Sequence, residues 1–319
     1  MNSSSLNNPF TLSYARFCFT MEAVEDAVLP SYLGSTLRGA MGHALRQLVC
    51  IVPRDDCKKC MHRWQCAFTY IMATSRQETD SAGNIRSVAV PHPYVIEPPQ
   101  GQQTHYQKGS LLQYHLLLVG NSIPLLPLFI AAFIRVGKNG LGRNRHKFVL
   151  QQVEQENDGE NMLLWQGGDN LLQPPLPIKL GEQEAEETEQ IALVLHTPTR
   201  LVDKGRLDDS PGFSVFMRAV FRRLDSLGQI HGQSGLELNF QEYINRANQV
   251  ELVESDCSWF DWERYSSRQS TYMKLGGLVG RLTYGGDLSA FIPYLKMGQI
   301  LHVGKNTSFG LGRYTLVLD

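Results

Sequence analysis

The chain has 319 residues, 42% of them hydrophobic, which is enough to fill two cores of ordinary size. Its formal charge of −1 hides an uneven distribution: ten acids and one lysine lie within 151–190, leaving 29 bases against 21 acids elsewhere. Residues 1–8 lack the basic and apolar regions of a secretory signal, and the most apolar run, 123–136, contains Pro124 and Pro127 and is too short to span a bilayer, so the expectation is a cytoplasmic protein with no membrane contact.

The elements run in a repeated order. A strand over 10–21 precedes a helix over 32–49 and a cysteine-rich insertion at about 50–70; strands follow at 94–96 and 111–119, then an apolar helix at 123–136 and a strand from Lys147. The second half gives a strand at 191–202, an arginine-rich helix at 213–227, paired runs at 259–266 and 272–283, a helix at 288–297 and a strand at 314–318. Each half reads β-α-β-β-α-β, so the predicted fold is α+β, two tandem ferredoxin-like domains with the cysteine-rich insertion in the first. The predicted domains are 1–170 and 191–319, joined by an acidic, proline-containing linker at 171–190 that reads as solvated.

A glycine-rich phrase follows the last helix of each half. Val136-Gly137-Lys138-Asn139-Gly140-Leu141-Gly142-Arg143 recurs 167 residues later as Val303-Gly304-Lys305-Asn306, then Thr307-Ser308-Phe309, then Gly310-Leu311-Gly312-Arg313. Such glycines serve tight turns or close approach to a ligand. The cations Lys138, Arg143, Arg145 and Lys147 in one copy, with Lys305 and Arg313 in the other, favour RNA contact. Arg218 and Arg222, grouped with Arg223 on the 213–227 helix, are further RNA-binding candidates, and Trp259, Phe260, Trp262 and Tyr265 could stack on bases.

On a helical wheel the 32–49 segment gathers Leu33, Leu37, Ala40, Met41, Ala44 and Leu48 on its buried side. The opposite side carries Tyr32, Ser35, Gly39, His43 and Arg46. A histidine exchanges protons near neutrality, and a cation three residues on can stabilise developing negative charge. Cys50, Cys57, Cys60 and Cys66 fall within 17 residues. Four thiolates at this spacing suit a structural tetrahedral zinc site, with an iron–sulfur cluster as the alternative; four ligands leave no open position for catalysis.

The run from Leu33 to Arg46, Leu-Gly-Ser-Thr-Leu-Arg-Gly-Ala-Met-Gly-His-Ala-Leu-Arg, with the four cysteines after it, resembles the amino-terminal region of the Cas6 family of CRISPR RNA-processing endoribonucleases. The phrase from Val303 to Tyr314 is similar to that family's glycine-rich signature, so the two ends bracket nearly the whole chain. The resemblance implies one cut in precursor CRISPR RNA, with the substrate's 2′-hydroxyl as nucleophile, a 2′,3′-cyclic phosphate as product and no cofactor for catalysis. It implies His43, Tyr32 and Arg46 as catalytic residues, with arginine where relatives carry lysine, and adds Arg38 to the RNA-binding set. The implied partners are CRISPR repeat RNA and effector-complex subunits. The rival is a noncatalytic subunit that holds guide RNA in an effector complex.

Overall fold

The computed structural model describes residues 10–318 except 53–55, 58, 81–82, 102, 158, 169–170, 172, 182–185, 204–205, 208–209, 262 and 267–270. Two compact units emerge: one is Ser13–Ile178, and the other is Lys179–Asp319 joined by Leu12 and the described residues before it. The division lies between Ile178 and Lys179. Just before it, the buried Gln155 side chain donates to the Leu176 carbonyl at 2.5 Å and accepts from the Leu176 amide at 2.9 Å.

In the first unit, β1 (Leu12–Ala23), α1 (Gly34–Val49), α2 (Ala67–Met72), β2 (Tyr94–Glu97), β3 (Leu111–Val119), α3 (Leu126–Asn139), β4 (Phe148–Asn157) and β5 (Glu160–Gln166) follow in order. The antiparallel sheet runs β2-β3-β1-β4-β5, so β1 is central. Strand alternation sends Ala15, Phe17, Phe19 and Met21 into the core beneath α1 and α3, where Phe19 stacks on Tyr114 with centroids 5.6 Å apart. A hairpin of Ser75–Thr79 with Ile85–Ala89, absent from the sequence reading, follows α2.

The second unit holds β6 (Gln190–Thr199), α4 (Phe213–His231), α5 (Phe240–Ala247), β7 (Glu251–Phe260), β8 (Gly277–Gly285), α6 (Ile292–Leu301) and β9 (Tyr314–Leu318). Its antiparallel sheet runs β7-β8-β6-β9. Phe213 and Phe216 on α4 meet Tyr284 and Tyr314 of the sheet at 5.1 and 5.2 Å. Both units are therefore mixtures of helices and antiparallel sheet.

Two expectations shift. The apolar helix of the first unit begins as a 3-10 turn, Gly120–Leu125, and with α3 forms a stretch of 20 residues that by length and composition could cross a membrane, longer than the sequence suggested. Leu126, Phe129, Ile130, Phe133 and Val136 on this stretch lie in the core of the unit. The partner of β8 is Glu251–Phe260, beginning eight residues before the expected run, because its exposed, charged start lacks apolar alternation.

The glycines of both phrases have a backbone reason. Gly140 has φ +90°, and a Cβ there would lie 2.0 Å from the Arg145 carbonyl oxygen; Gly312 has φ +73°, and a Cβ would lie 1.7 Å from the Val303 carbonyl oxygen. Close approach is therefore to the chain's own backbone. Val303 N–H donates to Gly312 O and Gly312 N–H to Pro198 O, stitching the second phrase to the end of β6. Gly159, at φ +94°, has nothing within 4 Å of a built Cβ. Gly159→Ala should then cost only about 1 kcal/mol of left-handed strain, whereas Gly312→Ala should cost about 3 kcal/mol or more, with strain and overlap combined. Urea denaturation of both variants measures the difference.

Candidate active site on the first helix

Helix α1 starts at Gly34, so Tyr32 precedes it. Its buried stripe is Leu33, Leu37, Met41, Ala44 and Leu45; Leu48 is exposed, and Ser35, expected on the open side, is buried. His43 is exposed and Arg46 half-buried, one turn apart on the same side. The Arg46 guanidinium lies 6.0 Å from the Phe68 ring centroid, so α2 supports it. Half-buried Gly39, one turn before His43, presents no side chain beside the imidazole.

Tyr32 precedes the helix that carries this pair: from Gly34 to His43 the backbone rises about 14 Å at 1.5 Å per residue, the span that the Tyr32 and His43 side chains would bridge around one phosphate. Tyr32 sits within the field of Glu97. Burial and then the Glu97 carboxylate raise its pKa, so its hydroxyl holds its proton.

Glu97 belongs to a charged group that the sequence reading missed. On the sheet face away from the helices, Arg16 of β1 pairs with Glu97 of β2 at 2.6 Å and with Glu156 of β4, and His115 of β3 meets Glu156 at 2.7 Å. The register makes the group: Glu97 is opposite His115, and Arg16 is opposite Glu156. Single residues gave no signal, because four separate strands supply them. Burial, together with Arg16, lowers the His115 pKa despite the opposing pull of Glu156 and Glu97.

The RNA-binding candidates divide by exposure. Lys138, Arg143, Arg145 and Lys147 are exposed around the first glycine phrase, although Lys147 Nζ donates to the Lys138 carbonyl at 2.8 Å and so helps close the end of α3. Lys305 is exposed; Arg313 is half-buried, its backbone N–H donating to Thr197 Oγ1 at 2.9 Å. Arg218 and Arg222 are exposed on α4, but Arg223 is buried and donates twice to the Leu301 carbonyl, at 3.3 and 3.2 Å, capping α6. It leaves the expected basic face, and burial pulls its pKa down to about 10.

Arg38 is also engaged within the protein. Its guanidinium donates to His92 Nε2 at 3.0 Å, while His92 Nδ1 lies 3.0 Å from Thr74 Oγ1. Thr74 gives its own proton to the Tyr70 carbonyl at 2.7 Å, so His92 Nδ1 is the donor to Thr74 and Nε2 the acceptor from Arg38. Of the aromatic candidates, Trp259 and Phe260 are exposed on β7; Trp262 and the side chain of Tyr265 lie outside the described residues.

Cys50, Cys57, Cys60 and Cys66 are half-buried free thiols. Among the described residues, no three His, Cys, Asp or Glu side chains are gathered as a metal ion would require.

A family model for the N-terminal domain AF_1859_N matches residues 11–176, and one for the CRISPR-associated endoribonuclease Cas6 matches residues 193–314. No curated protein matches the chain in sequence. Among solved structures, a partial Cas6-RT-Cas1--Cas2 complex aligns over 98% of this chain with TM-score 0.59 and 12% identity; this chain spans 47% of that one. A Cas6 (TTHB231) product complex aligns over 96% of this chain and 99% of its own with TM-score 0.56 and 13% identity, and Thermus thermophilus Cas6 (TTHB231) does so with TM-score 0.52 and 13% identity. At these identities the likeness is one of fold.

The His115 pKa sets a pH dependence. Below about 6.5 an unfolded histidine takes up a proton that the folded one resists, so the unfolded state binds more protons and stability falls as pH falls. His115→Gln should flatten that loss between pH 7.5 and 5.5, read as denaturation midpoints at both values. Parallel curves for variant and parent would remove His115 as the cause.

Proposed function

We propose that this chain, a member of the CRISPR-associated endoribonuclease Cas6 family by its residues 193–314, cuts precursor CRISPR RNA once within each repeat, without a metal ion. The 2′-oxygen of the RNA bonds to the adjacent phosphorus, the bond from phosphorus to the 5′-oxygen breaks, and a 2′,3′-cyclic phosphate and a 5′-hydroxyl result. The nucleophile must lose a proton and the leaving oxygen must gain one.

The observation that carries this reading is exposed His43 with Arg46 one turn further along α1. The His43 imidazole takes the 2′-proton, and the proton that the 5′-oxygen gains comes from the resulting imidazolium or from the Tyr32 hydroxyl. Arg46 holds its charge throughout and so stabilises the phosphorane without moving protons. Tyr32, whose hydroxyl holds its proton under burial and the field of Glu97, is the second candidate for the donor to the 5′-oxygen.

We further propose that both units are ferredoxin-like. In each, the four strands of a β-α-β-β-α-β unit are ordered second, third, first, fourth across the sheet, β2-β3-β1-β4 and β7-β8-β6-β9. Exposed Lys138, Arg143, Arg145, Lys305, Arg218 and Arg222 are the cations that would hold RNA phosphates, and effector-complex subunits are the protein partners.

His43→Ala should slow single-turnover cleavage of the neighbouring repeat RNA, measured in EDTA, by roughly 10²–10⁴-fold with little change in affinity. Tyr32→Phe should slow cleavage if its hydroxyl protonates the 5′-oxygen, and should cut at nearly the parent rate if the His43 imidazolium does. Tight binding of repeat RNA by the parent chain without any cleavage would establish the noncatalytic, guide-holding reading instead.

The four cysteines remain our candidate for a structural zinc. Zinc selects thiolates, and its binding supplies the energy to close a segment that does not close alone. Chain purified without chelator should carry about one zinc, or iron with sulfide, and chelation should lower the melting temperature before it slows cleavage. Metal-free protein with an unchanged melting temperature would leave Cys50, Cys57, Cys60 and Cys66 as unliganded thiols.

A further inference from the structure

Trp64 is half exposed, an unusual setting for the largest apolar side chain. It lies between α1 and α2, in the segment that leaves the end of the His43 helix. The Arg63 guanidinium sits 4.3 Å from its ring centroid, a close cation–π stack. Arg63 is itself fixed, because its Nη2 donates to Ser75 Oγ and to Ser87 Oγ, each at 3.0 Å, on the two strands of the hairpin that follows α2. The indole is therefore backed by a held cation while half its surface meets solvent.

The surroundings are basic. Lys59 and His62 are exposed, and residues 50–66 contain four Lys or Arg against Asp55 and Asp56. A flat ring stacked on one cation and flanked by others matches a nucleobase with its phosphate: the base lies on the π-face and the phosphate meets the ammonium or guanidinium. Exposed Met61 and Ile51 alone would suit a protein partner equally, but the fixed arginine and the surplus of cations favour RNA.

We propose that Trp64, backed by Arg63, is a stacking platform for an unpaired base of the RNA, beside the end of α1. This rests on the reading that the chain binds CRISPR repeat RNA, and it adds a contact outside the glycine phrases and the His43 site. The platform acts in binding and register, and the chemistry stays with His43.

Fluorescence anisotropy with labelled single-stranded repeat RNA tests it. Trp64→Ala should weaken binding about five- to a hundredfold, the range for loss of one stacked base, and Trp64→Phe should retain most of the affinity. Stepwise replacement of nucleotides by abasic sites should reveal one position whose loss weakens the parent but not the Trp64→Ala chain. The half-exposed position makes unchanged melting temperatures the expected control, and RNA-induced quenching of tryptophan fluorescence should shrink in Trp64→Phe, which keeps an aromatic ring in place. Equal affinities for parent and Trp64→Ala overturn the platform, assign the exposed apolar residues to a protein partner and leave RNA binding intact. A parent chain that binds no repeat RNA overturns both the platform and the reading beneath it.

Discussion

The alternation of side chains along β1 constrains everything built on the first unit. Phe17, Phe19 and Met21 face the helices, while Arg16 and Cys18 face the other way, and β1 is bonded on both edges, to β3 and to β4. A slip of one residue would exchange the two sets, placing aromatic rings in the charged group and Arg16 in the core. Burying an unpaired guanidinium in apolar surroundings costs several kcal/mol at least. The register is thus held by penalties of both signs, and α1 inherits its position from it. His43 faces outward because Leu37, Met41, Ala44 and Leu45 have a fixed sheet to pack against.

Much of this was legible along the chain. The apolar runs of α1, α3 and β3 and the aromatic stripe of α4 carry their own periodicity, and the duplicated glycine phrase announces a duplicated unit. The open side of α1 could be read for His43 and Arg46 but not for Ser35, since a short hydroxyl packs against a core as readily as it faces water. The distance of Tyr32 from His43 could not be read from a wheel, which projects the helix along its axis and discards the rise between residue 32 and residue 43. Arg223 was misread because its role depends on a carbonyl 78 residues away. The Arg16, Glu97, His115 and Glu156 group depends on strand register and is invisible until the sheet is assembled.

The glycine phrases show how one sequence signal can have two sources. Their conformations are dictated by the chain itself, through positive φ and contact with Arg145 and Val303. That accounts for the glycines and leaves the cations unexplained. Lys138, Arg143, Arg145 and Lys305 are exposed on these same loops, so a turn dictated by the backbone and the phosphate-binding surface we propose can share one segment. A rigid turn presents charge at defined spacing, which lowers the entropy lost when a polyanion is engaged.

Strand β7 has a consequence of another kind. It is ten residues long, lies at the margin of its sheet and, among the described residues, pairs with β8 alone. Such a margin offers unsatisfied amides and carbonyls to any passing strand. Glu251, Glu254 and Asp256 stud it with negative charge, whereas Val253 and Phe260 are exposed apolar residues on the same strand. Copies of the chain meeting edge to edge would bring like charges together, so the acids act as gatekeepers against aggregation. The same charges would repel a polyanion along this margin.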